Sequence, residues 1–467
     1  MSFSNLFFPF VFLPISVGLY FLFPKKLKNP LLVLLSLFFF AWGRPVYVLL
    51  LILSILFNHF TGRELAALSE GNRRKLVLWT GVGANLLLLG FFKYWGFLVS
   101  SLGSLFGADW TVSLPPSPAG ISFFTFSALS YLYDVYRNRA EGPGSLLDCA
   151  LYISFFPKLI SGPIISWKEM QPQLHDHPMT KELVLTGGRR FVTGLAKKLL
   201  IANTLGNTFY AISAGPVSEL SVLTAWIGAV SYSLMLYFDF SSYSDMAIGL
   251  GQIFGFRLPE NFLYPYTSGS MTDFWRTWHA SLGAWFRDYV YIPLGGSRAG
   301  KGKTIRNLIV VWALTGLWHG ANWTFVFWGL YHVALLLLEK FVLKSLAEKM
   351  PKALRHVLTV LLAVIGWVFF FSPSIGSAFG WLFRMFSPFS VPFIGAAGRY
   401  YLRGSWLILL VSILGATPLP RTLGMNLLRE RSPVTRILAV VFFALLLYFC
   451  TAGMLSDTYS SFLYFQF

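Results

Sequence analysis

Long apolar runs recur along the 467-residue chain, and short segments rich in Lys and Arg separate them. The short alternating segments that would indicate a membrane β-barrel do not occur in the sequence. The pattern predicts an all-α polytopic membrane protein with about 11–12 transmembrane helices. The predicted spans are residues 6–24, 30–43, 46–61, 77–99, 118–136, 199–214, 221–240, 307–320, 323–340, 357–372, 405–417 and 437–453.

Several of these runs are shorter than the roughly 20 residues that a straight helix needs to cross a bilayer. Gly and Pro also interrupt them, which is typical of re-entrant or tilted helices around a cavity. We therefore expect re-entrant segments at Leu151–Trp167 and Asp239–Tyr266. The basic, amphipathic stretch Thr186–Asn203 is expected to lie on the inner surface of the membrane.

Composition and charge agree with a membrane protein. The chain is 55% hydrophobic and 18% aromatic, far more apolar than a soluble domain. Its net charge of +18 is spread over many short loops rather than one patch. This distribution is typical of cytoplasmic loops and argues against nucleic-acid binding. Placing the basic loops inside puts both termini outside.

Catalytic signatures of soluble enzymes do not occur in the sequence. It contains neither a His-Glu-x-x-His zinc motif nor a Gly-x-Ser-x-Gly nucleophile elbow. The two cysteines, Cys149 and Cys450, lie far apart in apolar segments. We therefore expect neither a disulfide framework nor a metal site.

Two histidines, His279 and His319, lie in strongly apolar surroundings. Ionisable groups at membrane depth are costly, and imidazole can move a proton near neutral pH. His319 is either a core residue bonded to a carbonyl or a catalytic base. Gly316, Gly320 and Asn322 favour catalysis, because small residues permit close approach and an amide can orient an imidazole or donate to an oxyanion.

Two acidic residues, Asp239 and Asp245, fall in a predicted membrane segment with four polar residues, Ser241-Ser242-Tyr243-Ser244, between them. One interpretation is a proton relay. The other, which we favour, is that the carboxylates cap helices or pair with Arg or His near the inner interface.

Several motifs, in order along the chain, resemble the membrane-bound O-acyltransferase family. The resemblance covers most of the chain and is nearest to the branch of bacterial alginate O-acetyltransferase membrane subunits. The matching segments are Gly120–Phe126, Tyr237–Asp245, Phe274–Leu282, Trp285–Gly296, Gly316–Trp323 and Trp328–His332.

The resemblance implies a helical bundle pierced by a tunnel, with the acyl donor entering from the cytoplasm. The family's near-invariant histidine falls on His319, the expected general base. A second polar position falls on His279, expected to orient the donor or stabilise the oxyanion. Further substrate-binding candidates are Trp318, Asn322, Arg276 and Arg287, although the two arginines could instead only set topology.

The resemblance also implies how the chain is organised. We expect one domain over residues 1–467, with N-terminal helices at 1–116, a catalytic core at 117–340, and C-terminal helices with an outer tail at 341–467. The tail Phe462–Phe467 resembles a motif in which a terminal tyrosine accepts the acyl group in an outer funnel. Tyr464 is that candidate acyl relay, unless the tail is only an aromatic interface belt.

The expected function is transfer of an acyl group, most simply acetyl, across a bacterial cytoplasmic membrane. Acetyl-CoA is the expected donor, no further cofactor is needed, and an extracytoplasmic acetyltransferase would finish the transfer to a polysaccharide. The acceptor could be alginate, cellulose, peptidoglycan or another secreted glycan. The alternatives are D-alanyl transfer to teichoic acid from a carrier protein, and a non-catalytic transporter, which would show paired half-helices in two halves.

Overall fold

The computed structural model describes residues 1–298, 300–429, 432–456 and Phe462. These residues are predominantly helical, and extended pairing among them is limited to an isolated bridge between Phe262 and Trp278. The predicted all-α class is therefore confirmed. The chain forms two compact units, one of Met1–Phe191 with Tyr243–Glu260, the other of Val192–Ser242 with Asn261–Phe467.

The first unit begins with apolar helices and continues through shorter, broken ones. Single π-helical segments, Phe8–Phe12 and Gly90–Tyr94, join onto longer helices. The helices are α1 (Leu13–Leu22), α2 (Lys25–Ala41), α3 (Val46–Ala67), α4 (Asn72–Leu89), α5 (Trp95–Leu105), α6 (Ile121–Tyr136), α7 (Leu146–Ser154), α8 (Phe156–Leu159), α9 (Trp167–Met170) and α10 (Lys181–Ala196), whose last turn belongs to the second unit.

The second unit holds most of the remaining helices around a core rich in aromatic residues. It also contains π-helical segments at Lys197–Ala202 and Arg287–Tyr291. The helices are α11 (Asn203–Ser213), α12 (Val222–Ile253), α13 (Met271–Thr277), α14 (Ala280–Phe286), α15 (Lys301–His319), α16 (Trp323–Phe341), α17 (Lys344–Lys349), α18 (Lys352–Phe371), α19 (Ile375–Phe386), α20 (Ala396–Gly415), α21 (Leu419–Arg429) and α22 (Pro433–Ser456), with the end of α12 in the first unit.

Each predicted span falls on a helix, so the chain is a multi-pass membrane protein. Among the described residues, 6 helices are long and apolar enough to cross a bilayer by themselves. The full number of spans, their orientation and the domain divisions at residues 116 and 340 stay predictions. The long apolar helices are Val46–Ala67, Asn72–Leu105, Val222–Ile253, Trp323–Phe341, Lys352–Phe371 and Pro433–Ser456.

The predicted re-entrant segment Asp239–Tyr266 is wrong, because α12 continues without a break to Ile253. Gly249 serves close helix packing instead of ending the helix, and α12 ends only before Gly255, which has a φ of 85°. A Cβ atom on Gly249 would lie 2.6 Å from the backbone oxygen of Gly187 on α10. The other predicted segment, Leu151–Trp167, is interrupted as expected, since α7 ends at Ser154 and only short helices follow.

Ion pairs, one of them fully buried, explain how α12 tolerates its carboxylates. In the first unit, Arg190 donates to Asp245 at 2.9 Å and to Glu260 at 2.5 Å. In the second unit, Lys198 donates to Asp239 at 2.6 Å. Pairing with an arginine is thus confirmed for Asp245, whereas the described partner of Asp239 is a lysine instead of the predicted Arg or His. Both acids lie within α12 rather than at a helix cap. Two of the basic side chains that suggested a surface helix at Thr186–Asn203 therefore point into the protein.

Candidate active site

The imidazole of His319 lies at the tip of a tight helical hairpin in the second unit. His319 is the last residue of α15, and Gly320 adopts an extended conformation that ends the helix. Asn322 then caps α16, because its Oδ1 accepts the backbone N–H of Thr324 at 3.0 Å. The sequence therefore fixes His319 at a helix terminus, where only 5% of the residue is exposed.

Glycines bring the two arms of this hairpin together. A Cβ atom on Gly316 would overlap the backbone oxygen of Phe325, and one on Gly329 would overlap that of Trp312. The α carbons of Gly316 and Gly329 thus face each other across α15 and α16. Any larger residue would clash at these positions, so glycine is required. The close approach that the small residues predicted is therefore between the backbones of α15 and α16.

Aromatic rings enclose His319. Its ring centroid lies 5.0 Å from that of Trp318, 5.0 Å from that of Trp328 and 5.2 Å from that of Phe370. These rings come from the hairpin itself and from α18. An apolar enclosure of this kind excludes water and strengthens any electrostatic interaction formed inside it.

The second histidine, His279, lies between α13 and α14 in a left-handed backbone conformation with φ of 47°. It is 2% exposed, and its Nδ1 lies 3.0 Å from Oδ1 of Asn261. The ring of Phe240 packs edge-on against it at 4.5 Å. Burial lowers the pKa of the His279 imidazole to about 3, so the ring is neutral near pH 7.

The structure brings the two predicted histidines together around one indole. The ring of Trp318 lies 5.8 Å from that of His279 and 5.0 Å from that of His319, measured between centroids. The sequence separates these imidazoles by a basic loop and most of α15. The contact of His279 with Trp318 therefore depends on the fold, and it defines an apolar site with two imidazoles.

A third histidine, His332, belongs to the same aromatic cluster and was not identified as a site residue from the sequence. It is 1% exposed on α16, and its Nδ1 accepts the indole N–H of Trp275 at 3.3 Å. Its ring also lies 4.8 Å from that of Trp328, which contacts His319. The position of His332 within a motif was visible in the sequence, but its contact with Trp275 was not.

The described contacts of three other sequence candidates are with residues other than these two histidines. The side chain of Arg276 is 73% exposed and pairs with Asp273, while that of Arg287 is 62% exposed and pairs with Asp288. Substrate binding and the setting of membrane topology therefore both stay predictions for these arginines. The described hydrogen bonds of Asn322 go to Thr324 and to the backbone oxygen of Pro373 rather than to His319.

The candidate relay residue Tyr464 lies outside the residues that the structure describes. Its neighbour in the tail, Phe462, is described and is 1% exposed, with the ammonium of Lys198 located 4.7 Å from its ring centroid. The position of the tyrosine relative to the histidine pair therefore stays a prediction.

An all-helical membrane protein with paired imidazoles in an apolar centre has the construction of a membrane-embedded acyltransferase. A profile of the membrane-bound O-acyltransferase family matches residues 123–377, and the chain belongs to this family. The match includes both histidines of the site. The protein is therefore an O-acyltransferase, as the sequence predicted.

Individual relatives agree with this assignment. The chain is 41% identical to the probable alginate O-acetylase of Azotobacter vinelandii, over 83% of this chain and 78% of that protein. It is 37% identical to the peptidoglycan O-acetyltransferase of Helicobacter pylori, over 81% and 78% respectively. The teichoic acid D-alanyltransferase of Bacillus subtilis is 30% identical over 52% of this chain and 67% of its own length.

Proposed function

We propose that the protein transfers an acetyl group from acetyl-CoA in the cytoplasm to an extracytoplasmic acceptor, for O-acetylation of a secreted or cell-wall polysaccharide. The observation that carries the proposal is the pair of buried imidazoles around Trp318 in an apolar centre. Acetyl rather than D-alanyl transfer is supported by the higher identity and wider coverage of the relatives named for acetylation.

In the proposed reaction, His319 is the general base. Its imidazole takes the proton of an attacking hydroxyl, the hydroxyl oxygen bonds to the thioester carbonyl carbon, and the carbon–sulfur bond breaks. The proton then passes from the imidazolium to the departing thiolate. Base catalysis of this kind contributes roughly 10²–10⁴-fold. The thioester is already activated, so the chemistry needs no metal ion.

In this proposal, the surrounding rings of Trp318, Trp328 and Phe370 protect the reaction from water. They exclude water from the imidazole, which favours transfer over hydrolysis of the thioester. His279 is the second functional imidazole. Whether it donates a hydrogen bond to the oxyanion or accepts one from a reacting hydroxyl depends on which of its nitrogens carries the hydrogen.

The tail supplies the proposed route out of the membrane. The phenol of Tyr464 would accept the acetyl group, and the aryl ester would pass it to an extracytoplasmic acetyltransferase that acts on the polysaccharide. Such an ester stays activated, because phenoxide is a better leaving group than an alkoxide. This step rests on the resemblance of Phe462–Phe467 to the terminal motif of the family branch.

The experiment that tests this function compares His319→Ala and His319→Gln with the wild-type full-length protein. We expect both variants to lose at least about 10²-fold in acetyl transfer from acetyl-CoA, while thermal melting stays unchanged. His175→Ala is the matched control, because the His175 side chain is 74% exposed, and it should retain full activity. If either His319 variant kept more than a few per cent of the activity, His319 would not be the base.

The same assay separates the proposal from its alternatives. An acetyltransferase releases free coenzyme A from acetyl-CoA, whereas a transporter releases none. A D-alanyltransferase would instead consume the D-alanyl thioester of a carrier protein. If the protein reacted with the D-alanyl carrier protein and not with acetyl-CoA, the proposed function would have to be D-alanyl transfer instead of acetyl transfer.

A further inference from the structure

One side-chain oxygen, Oδ1 of Asn261, collects three described contacts next to the proposed active site. The backbone nitrogen of Ser281 lies 3.3 Å from it, and the Ser281 hydroxyl lies 2.9 Å from it. The third contact is Nδ1 of His279 at 3.0 Å. Both Asn261 and His279 are almost completely buried, at 1% and 2% exposed.

These contacts determine where His279 carries its proton. A backbone N–H can only donate, so the atom of Asn261 that faces Ser281 must be the amide oxygen and not the nitrogen. An amide oxygen can only accept. The His279 nitrogen that faces the same oxygen must therefore donate, which places the hydrogen on Nδ1 and the lone pair on Nε2.

The backbone fixes this arrangement. His279 has a φ of 47°, in the left-handed region that residues other than glycine rarely occupy. The next residue, Ala280, donates its N–H to the backbone oxygen of Asn261 at 2.9 Å, and Leu263 donates to that of Thr277 at 3.0 Å. Unusual conformations held in this way concentrate at functional sites. The loop of Asn261 and the turn of His279 therefore act as one unit.

We propose that Asn261 is a positioning residue that holds His279 in the Nδ1–H tautomer, so that His279 presents the Nε2 lone pair to the reacting groups as a hydrogen-bond acceptor. This inference rests on the proposed function, in which His279 takes part in acyl transfer. It decides between the two roles left open in the proposed function, and it argues against the oxyanion role expected from the sequence. A neutral imidazole with its hydrogen on Nδ1 has no donor at Nε2 for an oxyanion.

The environment of His279 supports a neutral ring. Its described side-chain contacts are the rings of Phe240, Phe262 and Trp318 and the amide of Asn261, none of which is charged. Burial among them lowers the pKa of the imidazole, so the doubly protonated form that could donate from both nitrogens is not populated near pH 7.

The test uses two substitutions of Asn261 in the full-length protein. Asn261→Leu keeps a similar volume but removes the acceptor, and kcat for acetyl transfer should fall at least about tenfold while KM for acetyl-CoA stays within about twofold. Asn261→Asp keeps the acceptor and adds a negative charge beside the ring. It should retain most of kcat and shift the acidic limb of the pH–rate profile upward by about 1–3 units.

Ser281→Ala is the matched control, because it removes one donor to Oδ1 and leaves the contact of His279. Its kcat should stay within about threefold of wild type, with an unshifted pH profile. A structural role for Asn261 would change melting but would not move the acidic limb in Asn261→Asp. This readout keeps the proposal testable even if Asn261→Leu fails to fold.

The outcomes separate this inference from the proposed function. Loss of activity in His279→Ala and His319→Ala, together with an active Asn261→Leu or an unshifted Asn261→Asp profile, overturns only the assignment of Asn261. An active His279→Ala removes His279 from the reaction and with it the inference. An active His319→Ala overturns the proposed function itself.

Discussion

The ion pair of Lys198 and Asp239 offers a quantitative test of how the second unit holds charges in an apolar interior. The Nζ–Oδ1 distance is 2.6 Å, and the two side chains are 4% and 6% exposed. At an effective dielectric constant of about 20, unit charges at this separation attract by about 6 kcal/mol. Desolvation costs several kcal/mol for each ion, so the intact pair adds little net stability.

Breaking the pair is a different matter, because the remaining charge stays buried without its partner. Lys198→Met and Asp239→Leu should therefore each destabilise the protein by about 3–5 kcal/mol. The double variant Lys198→Met/Asp239→Leu leaves no charge behind and should recover most of that loss. The expected signature is strong non-additivity, with a coupling energy of at least about 3 kcal/mol.

Thermal melting of the purified protein in detergent measures this cycle, with acetyl transfer as the second readout. The double variant should melt near wild type and still transfer acetyl, since we interpret the pair as structural. Loss of transfer in a stable double variant would instead support a proton relay through Asp239. Single variants that melt like wild type, or a double variant that shows the sum of both losses, would refute the reasoning.

Two further predictions concern the hairpin and the tail. Gly316→Ala should lower the melting temperature and the rate of transfer, because its Cβ overlaps the backbone oxygen of Phe325 and overpacking costs about 1–3 kcal/mol; Gly302→Ala, with open space around it, is the control. Tyr464→Phe should lose glycan acetylation but keep donor binding and melting, and near wild-type glycan acetylation in that variant would discard the relay.

The helices were predictable from the sequence because apolar runs are a local signal. The continuation of α12 past Asp239 was not, since carboxylates and glycines within an apolar segment usually indicate a break. Here Gly249 fits against α10, and Asp239 is paired with Lys198 from another segment. Contacts between residues far apart in the chain decided the outcome, and periodicity carries no information about them.

The candidate site likewise contains residues that a local sequence signal identifies and residues that only long-range contacts reveal. Imidazoles in apolar runs are unusual enough to be found by inspection, so His279 and His319 were identified. Asn261 was missed because a single amide in a loop carries no pattern, and its three described hydrogen-bond contacts appear only when the loop folds against the turn at His279. The indole that contacts both histidines, Trp318, was predicted as a substrate-binding residue, but its contact with His279 was not predicted.

Hydrogen-bond partners fix the hydrogen positions on His279 and His332, and they fix them oppositely. His332 accepts the indole N–H of Trp275 at Nδ1, so its own hydrogen is on Nε2. His279 donates from Nδ1 to Asn261, so its lone pair is on Nε2. One flanking imidazole is therefore an acceptor at Nε2 and the other a donor. Because each tautomer is set by a partner outside the proposed reaction, the fold presents a lone pair at His279 and an N–H at His332 before any substrate binds.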